Sequence, residues 1–162
     1  MLLEYFILIG SWVILLLSLI LFIPKDKVRV AWVAFLFKQS ITWSIGLLVV
    51  EFGLIEYPIH EFTIANQTSF TFEFFAYPAL CAFFNVFYPS HQSCGKQIRH
   101  YILYSSAITG FEVILEKYTL LIHYIHWNWY WSWLTLTVTF FLSRIYCRWF
   151  FREKLHKPTS PE

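Results

Sequence analysis

The stretch "GFEVILEKYTLLIHYIHWNWYW", Gly110 to Trp131, decides how the chain is read. It has the apolar character of a membrane-spanning segment running into an aromatic interface, yet it contains Glu112, Glu116, Lys117, His123 and His126. Ionisable groups within a span are costly and turn toward protein or water rather than lipid. Wound as a helix at about 100° per residue, Glu112, Glu116, Thr119, His123 and His126 fall within an arc of about 80°, with Ser105 on the same face. The polar groups therefore form one stripe, and the spacing predicts a helix over 101–125 with one side turned inward. Counted from Arg99 at about 1.5 Å per residue, Glu112 lies roughly 20 Å along this helix, and the histidines lie close to its far end.

The rest of the chain supports that reading. Of its 162 residues, 58% are hydrophobic and 14% are charged, against about 25% charged in a soluble domain. The apolar residues are clustered into runs predicted as spans over about 4–23, 30–55, 70–89, 101–125 and 129–150, each long enough for a hydrocarbon core about 30 Å thick. The expected fold is an all-α, five-helix transmembrane bundle forming one domain over 1–150, with a short basic tail over 151–162. The first run reads as a retained span and not a signal peptide, because it lacks a basic leader and lysines follow it. Trp127, Trp129, Trp131 and Trp133 fit an interfacial aromatic belt.

Charge placement gives the expected orientation. Of 12 Lys and Arg, Lys38 and Lys117 sit within spans, away from the basic end. The others, Lys25, Lys27, Arg29, Lys96, Arg99, Arg144, Arg148, Arg152, Lys154 and Lys157, gather at one end, and Glu51, Glu56 and Glu61 stand at the other. The positive-inside rule then places the N-terminus outside and the C-terminus in the cytoplasm. Pro78 falls inside the third span, where a missing N–H predicts a kink. Asn66 opens an Asn-Gln-Thr acceptor pattern, too common by chance to carry weight.

The expected site is an acidic, aromatic-lined pocket in the outer half of spans two to five. Glu112, Glu116 and Glu73 are the candidate proton donors and acceptors. Lys38, Glu51, Lys117, His123, Tyr77 and Trp131 are the candidate ligand contacts. Ser132, Thr135, Thr139 and Ser143 line one face of the fifth span, which is expected to meet the fourth. The plainer alternative makes Lys38–Glu112 and Lys117–Glu73 (or Glu51) neutralising pairs that fix helix register. Carboxylates outnumber lysines in the spans, which favours a site. The leading expectation is binding of a lipid, isoprenoid or cationic small molecule. The alternatives are acid–base catalysis on a lipid or isoprenoid, similar in chemistry to small membrane terpene cyclases, and a structural or regulatory subunit. No cofactor or metal is expected: Glu116 and His123 are seven apart and no Glu-x-x-His pair occurs. Cys81, Cys94 and Cys147 lack zinc spacing and read as inert thiols. Membrane lipids are the expected partners, nucleic acid is not, and a homo-oligomer is open, since a dimer could enclose a pathway.

The segments "SFTFEFFAYPALCAFFNVFYP" (Ser69–Pro89) and "FEVILEKYTLLIHYIHWNWYWSWLTLTVTFFLSRIYCRWFF" (Phe111–Phe151) resemble a functionally uncharacterised family of small multi-pass membrane proteins from spore-forming Firmicutes. The resemblance runs from the second span onward. It implies a bacterial plasma-membrane location and brings no activity or catalytic residue with it.

Overall fold

The computed structural model describes residues 2–152, and Lys154 and Lys157 of the expected tail lie outside them. Its architecture is all-α. Helices α1 (Leu2–Phe22), α2 (Val28–Glu51), α3 (Tyr77–Val86), α4 (Cys94–Tyr118) and α5 (Trp129–Arg152) run up and down, and a π-helical segment, Phe70–Ala76, leads into α3. Two helical stretches are long and apolar enough to cross a membrane by length and composition, Leu2–Phe22 and Lys25–Glu51. The Phe70–Val86 rod is apolar but shorter. α4 and α5 are diluted by the same charged, hydroxyl and aromatic side chains that suggested a site.

Each boundary has a local cause. Pro24 follows the apolar run of α1, and a single 3-10 turn, Lys25–Lys27, carries the chain into α2. α2 stops at Glu51, four residues before the expected end at 55. Gly53 takes φ +62°, a conformation that costs glycine nothing. Its N–H bonds Val50 O at 2.9 Å and that of Leu54 bonds Val49 O at 3.0 Å, a paired closure of the last helical carbonyls.

The third helix departs from a simple kinked rod. Pro78 falls in the first turn of α3, where its missing N–H is tolerated. The carbonyls four and five residues before it, those of Phe74 and Glu73, lose that donor. α2 supplies replacements: Gln39 Nε2 donates to Phe74 O at 2.9 Å, and Thr42 Oγ1 donates to Glu73 O at 2.7 Å. The Thr42 hydroxyl also lies 2.9 Å from Lys38 O, so it shares one proton between two carbonyls. Trp12 of α1 stacks on Phe75 with centroids 4.0 Å apart, and its indole donates to Thr71 Oγ1 at 2.8 Å. π-helical turns recur at functional sites; here the wider winding presents Glu73 to α2.

The largest correction concerns the opening stretch. α4 begins at Cys94 and ends at Tyr118, so the helix expected over 101–125 stops seven residues early. Thr119 turns extended, with φ −138° and ψ 170°, and its hydroxyl accepts Leu121 N–H at 3.2 Å. A threonine that satisfies the backbone locally competes with helix continuation. The chain then doubles back, burying Leu121 and Ile122. His123–Tyr124 (β2) pairs antiparallel with Ile55–Glu56 (β1), Ile55 opposite Tyr124. The short turn expected between the spans ending at 125 and starting at 129 is the end of a longer connection, Thr119–Asn128, before α5.

Most of the basic residues gather at one end, while Lys117, in the last turn of α4, stands at the other. Lys27 Nζ donates to Val86 O at 3.1 Å, joining the α1–α2 turn to the end of α3. Arg144 stacks 4.2 Å above the Tyr88 ring and bonds Ser90 Oγ at 2.6 Å. The β1–β2 pair closes the opposite, acidic end. Between them Phe84, Phe140, Cys81, Ile108 and Leu136 form a core of α3, α4 and α5. Cys81 and Cys147 are buried free thiols, and Cys94 is exposed.

Candidate functional site

Three ionisable side chains from three elements converge on one cavity of about 80 Å³ near the acidic end: Lys38 of α2, Glu73 of the π-helix and Glu112 of α4. Tyr57, Tyr77, Trp127, Ser132, Thr135 and Thr139 contribute to its wall. All three ionisable residues are buried, Lys38 to 1% exposure.

Glu112 is held by hydroxyls. Ser132 Oγ donates to Oε1 at 2.6 Å, Tyr124 OH donates to Oε1 at 2.7 Å, and Tyr77 OH donates to Oε2 at 3.3 Å. Trp127 Nε1 donates to Ser132 Oγ at 2.8 Å, which leaves the serine proton for the carboxyl. The early end of α4 makes this arrangement. Had the helix continued, Tyr124 would project away along its axis; the reversal returns its phenol to a carboxylate on the preceding helix. Burial, and next the charge of Glu112, raises the Tyr124 phenol, so it serves as a neutral donor.

Glu73 has a different setting. Its Oε1 accepts from Tyr57 OH at 3.1 Å. Burial, followed by the neighbouring Glu73, holds Tyr57 well above the ordinary phenol value. The carboxyl rests on Gly46 of α2. A Cβ there would stand 2.9 Å from both Cγ and Cδ of Glu73. Lys38, Thr42 and Gly46 follow one another at four-residue intervals, so one face of α2 supplies the ammonium, the carbonyl cap and the space for Glu73.

Lys38 does not make the expected direct pair with Glu112. Its ammonium donates to Thr139 Oγ1 of α5, and its Nζ lies 5.0 Å from the Phe140 ring centroid. The Thr139 hydroxyl passes its own proton to Thr135 O at 2.8 Å.

Glu73, Glu112, Lys38 and Tyr77, all expected at the site, are brought together. The remaining candidates do not line this cavity. Glu116 is half-buried, and Glu51 and Lys117 are exposed at helix ends, leaving Lys117 no buried pairing with Glu73. His123 is exposed on β2, so the i+7 step from Glu116 across Thr119 does not exist in space. Trp131 is exposed at the start of α5, and Trp127 takes the lining position. Tyr57, Tyr124, Thr42 and Gly46 were not anticipated. For Thr42 and Gly46 the signal was their four-residue spacing from Lys38; for the two tyrosines, which sit in non-helical segments, no periodic signal exists.

A second cavity, about 390 Å³, lies on the other side of α3, between α1, α3 and α4. Tyr77 and Glu112 line both cavities.

No family model, curated protein or solved structure matches the chain.

Proposed function

We propose that the protein is a five-span membrane protein, N-terminus outside and C-terminus in the cytoplasm, that binds a cationic ligand in the Lys38–Glu73–Glu112 cavity. Support for the membrane reading comes from the two apolar helices of spanning length and from the gathering of basic side chains at one end of the bundle. The observation that carries the function is the make-up of the cavity: two carboxyl side chains, Glu73 and Glu112, against one lysine, Lys38. One further positive charge completes it, and the aromatic wall adds cation–π attraction.

Proton exchange with an isoprenoid would also call on two carboxylates. The binding reading is preferred because three hydroxyls donate to Glu112, so its oxygens act as acceptors, which suits a carboxylate facing a cation rather than an acid giving up a proton.

Two measurements test the proposal. Cys94 is exposed at the basic end while Cys81 and Cys147 are buried, so a membrane-impermeant maleimide is expected to label the native protein in inside-out vesicles only. Labelling in right-side-out vesicles contradicts the orientation. In lipid nanodiscs, ethylammonium is expected to raise the thermal midpoint of the native chain, as any ligand of the folded state does. A midpoint that stays fixed, or that rises equally in the Glu73→Gln/Glu112→Gln double variant, contradicts the site.

A further inference from the structure

The larger cavity beside the site is apolar and sits under α1. Ile14 and Leu15 of α1, Leu80 of α3, and Ala107 and Phe111 of α4 line it. Ser11 is there too, but its hydroxyl is spent on Ile7 O at 2.7 Å. The groups left to meet a polar ligand are Tyr77 and Glu112, the same two that line the charged cavity.

We infer that the two cavities are one bipartite site for a single-chain primary amine: the ammonium lies between Glu112 and Glu73, and the hydrocarbon chain lies in the groove between α1, α3 and α4. This inference rests on the cation-binding reading and adds the chemical class of the ligand. Charge complementarity selects the head, because the carboxylates exceed the lysine by one. The size of the polar cavity selects a primary amine over a bulky quaternary one, and carboxylate oxygens need N–H donors, of which an ammonium has three. The Tyr77–Glu112 bond, at 3.3 Å, is the longest of the three made to that carboxylate and is the one the ammonium replaces. The volume of the groove, about 390 Å³, fits the roughly 300–1,000 Å³ range of small-molecule sites.

The test uses the full chain in nanodiscs at pH 7, with empty nanodiscs as the partition control, and three probes: dodecylamine, dodecanol and ethylamine. The bipartite site predicts saturable one-to-one binding of dodecylamine at least tenfold tighter than ethylamine, and no saturable binding of dodecanol. Ala107→Trp, at an exposed lining position, is expected to weaken dodecylamine at least tenfold and leave ethylamine unchanged. Glu112→Gln is expected to weaken both amines. If ethylamine binds as tightly as dodecylamine, or Ala107→Trp leaves dodecylamine unaffected, the groove has no role and the bipartite site is overturned while the cation site stands. If neither amine binds, or Glu112→Gln changes neither, the cation reading falls with it. Dodecanol binding as tightly as dodecylamine overturns recognition of the head.

Discussion

Lys38→Met is expected to destabilise the protein by about 1–3 kcal/mol, the range found when a buried polar group is left without its partner. Lys38 is almost wholly enclosed, and its ammonium is the positive group of a cavity that also holds Glu73 and Glu112. Methionine replaces the stem with a side chain of similar reach, so the loss reports charge more than packing. Thr139 would lose its donor as well. With the lysine gone, two carboxylates face each other without a counter-charge, and one must take up a proton or draw in a cation. The signature is twofold. Glu73→Gln in the Lys38→Met background should restore most of the lost stability, a coupling that a double-mutant cycle measures directly. Ethylammonium should also bind the single variant more tightly than it binds the native chain, because the cavity is then doubly acidic. A lysine that served only to fill space would show neither effect: the loss would be equal in the two backgrounds and the affinity unchanged.

The second large effect is expected at Gly46. Alanine is favoured over glycine within a helix by about 1 kcal/mol, so Gly46→Ala would stabilise α2 if the position were open. It is not open, since the new Cβ would lie 2.9 Å from Glu73 Cγ and Cδ and 3.3 Å from Oε1. Overpacking of this kind costs about 1–3 kcal/mol. The two contributions nearly offset, and fold stability is expected to change by less than about 2 kcal/mol. The carboxyl, though, must leave its seat, breaking the 3.1 Å bond from Tyr57 and losing its place in the cavity. Ethylammonium affinity should fall at least tenfold, about 1.4 kcal/mol. Gly110→Ala is the matched control, because nothing lies within 4 Å of a Cβ built there. That variant should gain up to about 1 kcal/mol and bind normally. Equal behaviour of the two variants would mean that Gly46 does not seat Glu73.

These two positions also mark what could be read from residues alone. Lys38, Glu73, Glu112 and the face of α5 carrying Ser132 and Thr139 were legible because polar residues at helical spacing in apolar runs must turn inward. The same rule failed beyond Thr119. It extended a helical stripe to His123 and His126, where a local threonine bond and the pairing of His123–Tyr124 with Ile55–Glu56 take over. Tertiary pairing of a two-residue strand leaves no period to detect. Tyr57 and Tyr124, which complete the coordination of the two carboxylates, belong to that irregular end and were hidden for the same reason. Pro78 was read as a kink; the compensation by Gln39 and Thr42 could not be seen until α2 lay against the π-helix.

The central claim is that Glu73 and Glu112 together hold a cation. Isothermal calorimetry of ethylammonium into the protein in nanodiscs tests it most directly, with Glu73→Gln, Glu112→Gln and the double variant run in parallel. The account predicts one site per chain, weakened at least tenfold by each single change and abolished by the double. Binding to the native chain that survives the double substitution, or no binding to the native chain at all, would contradict it.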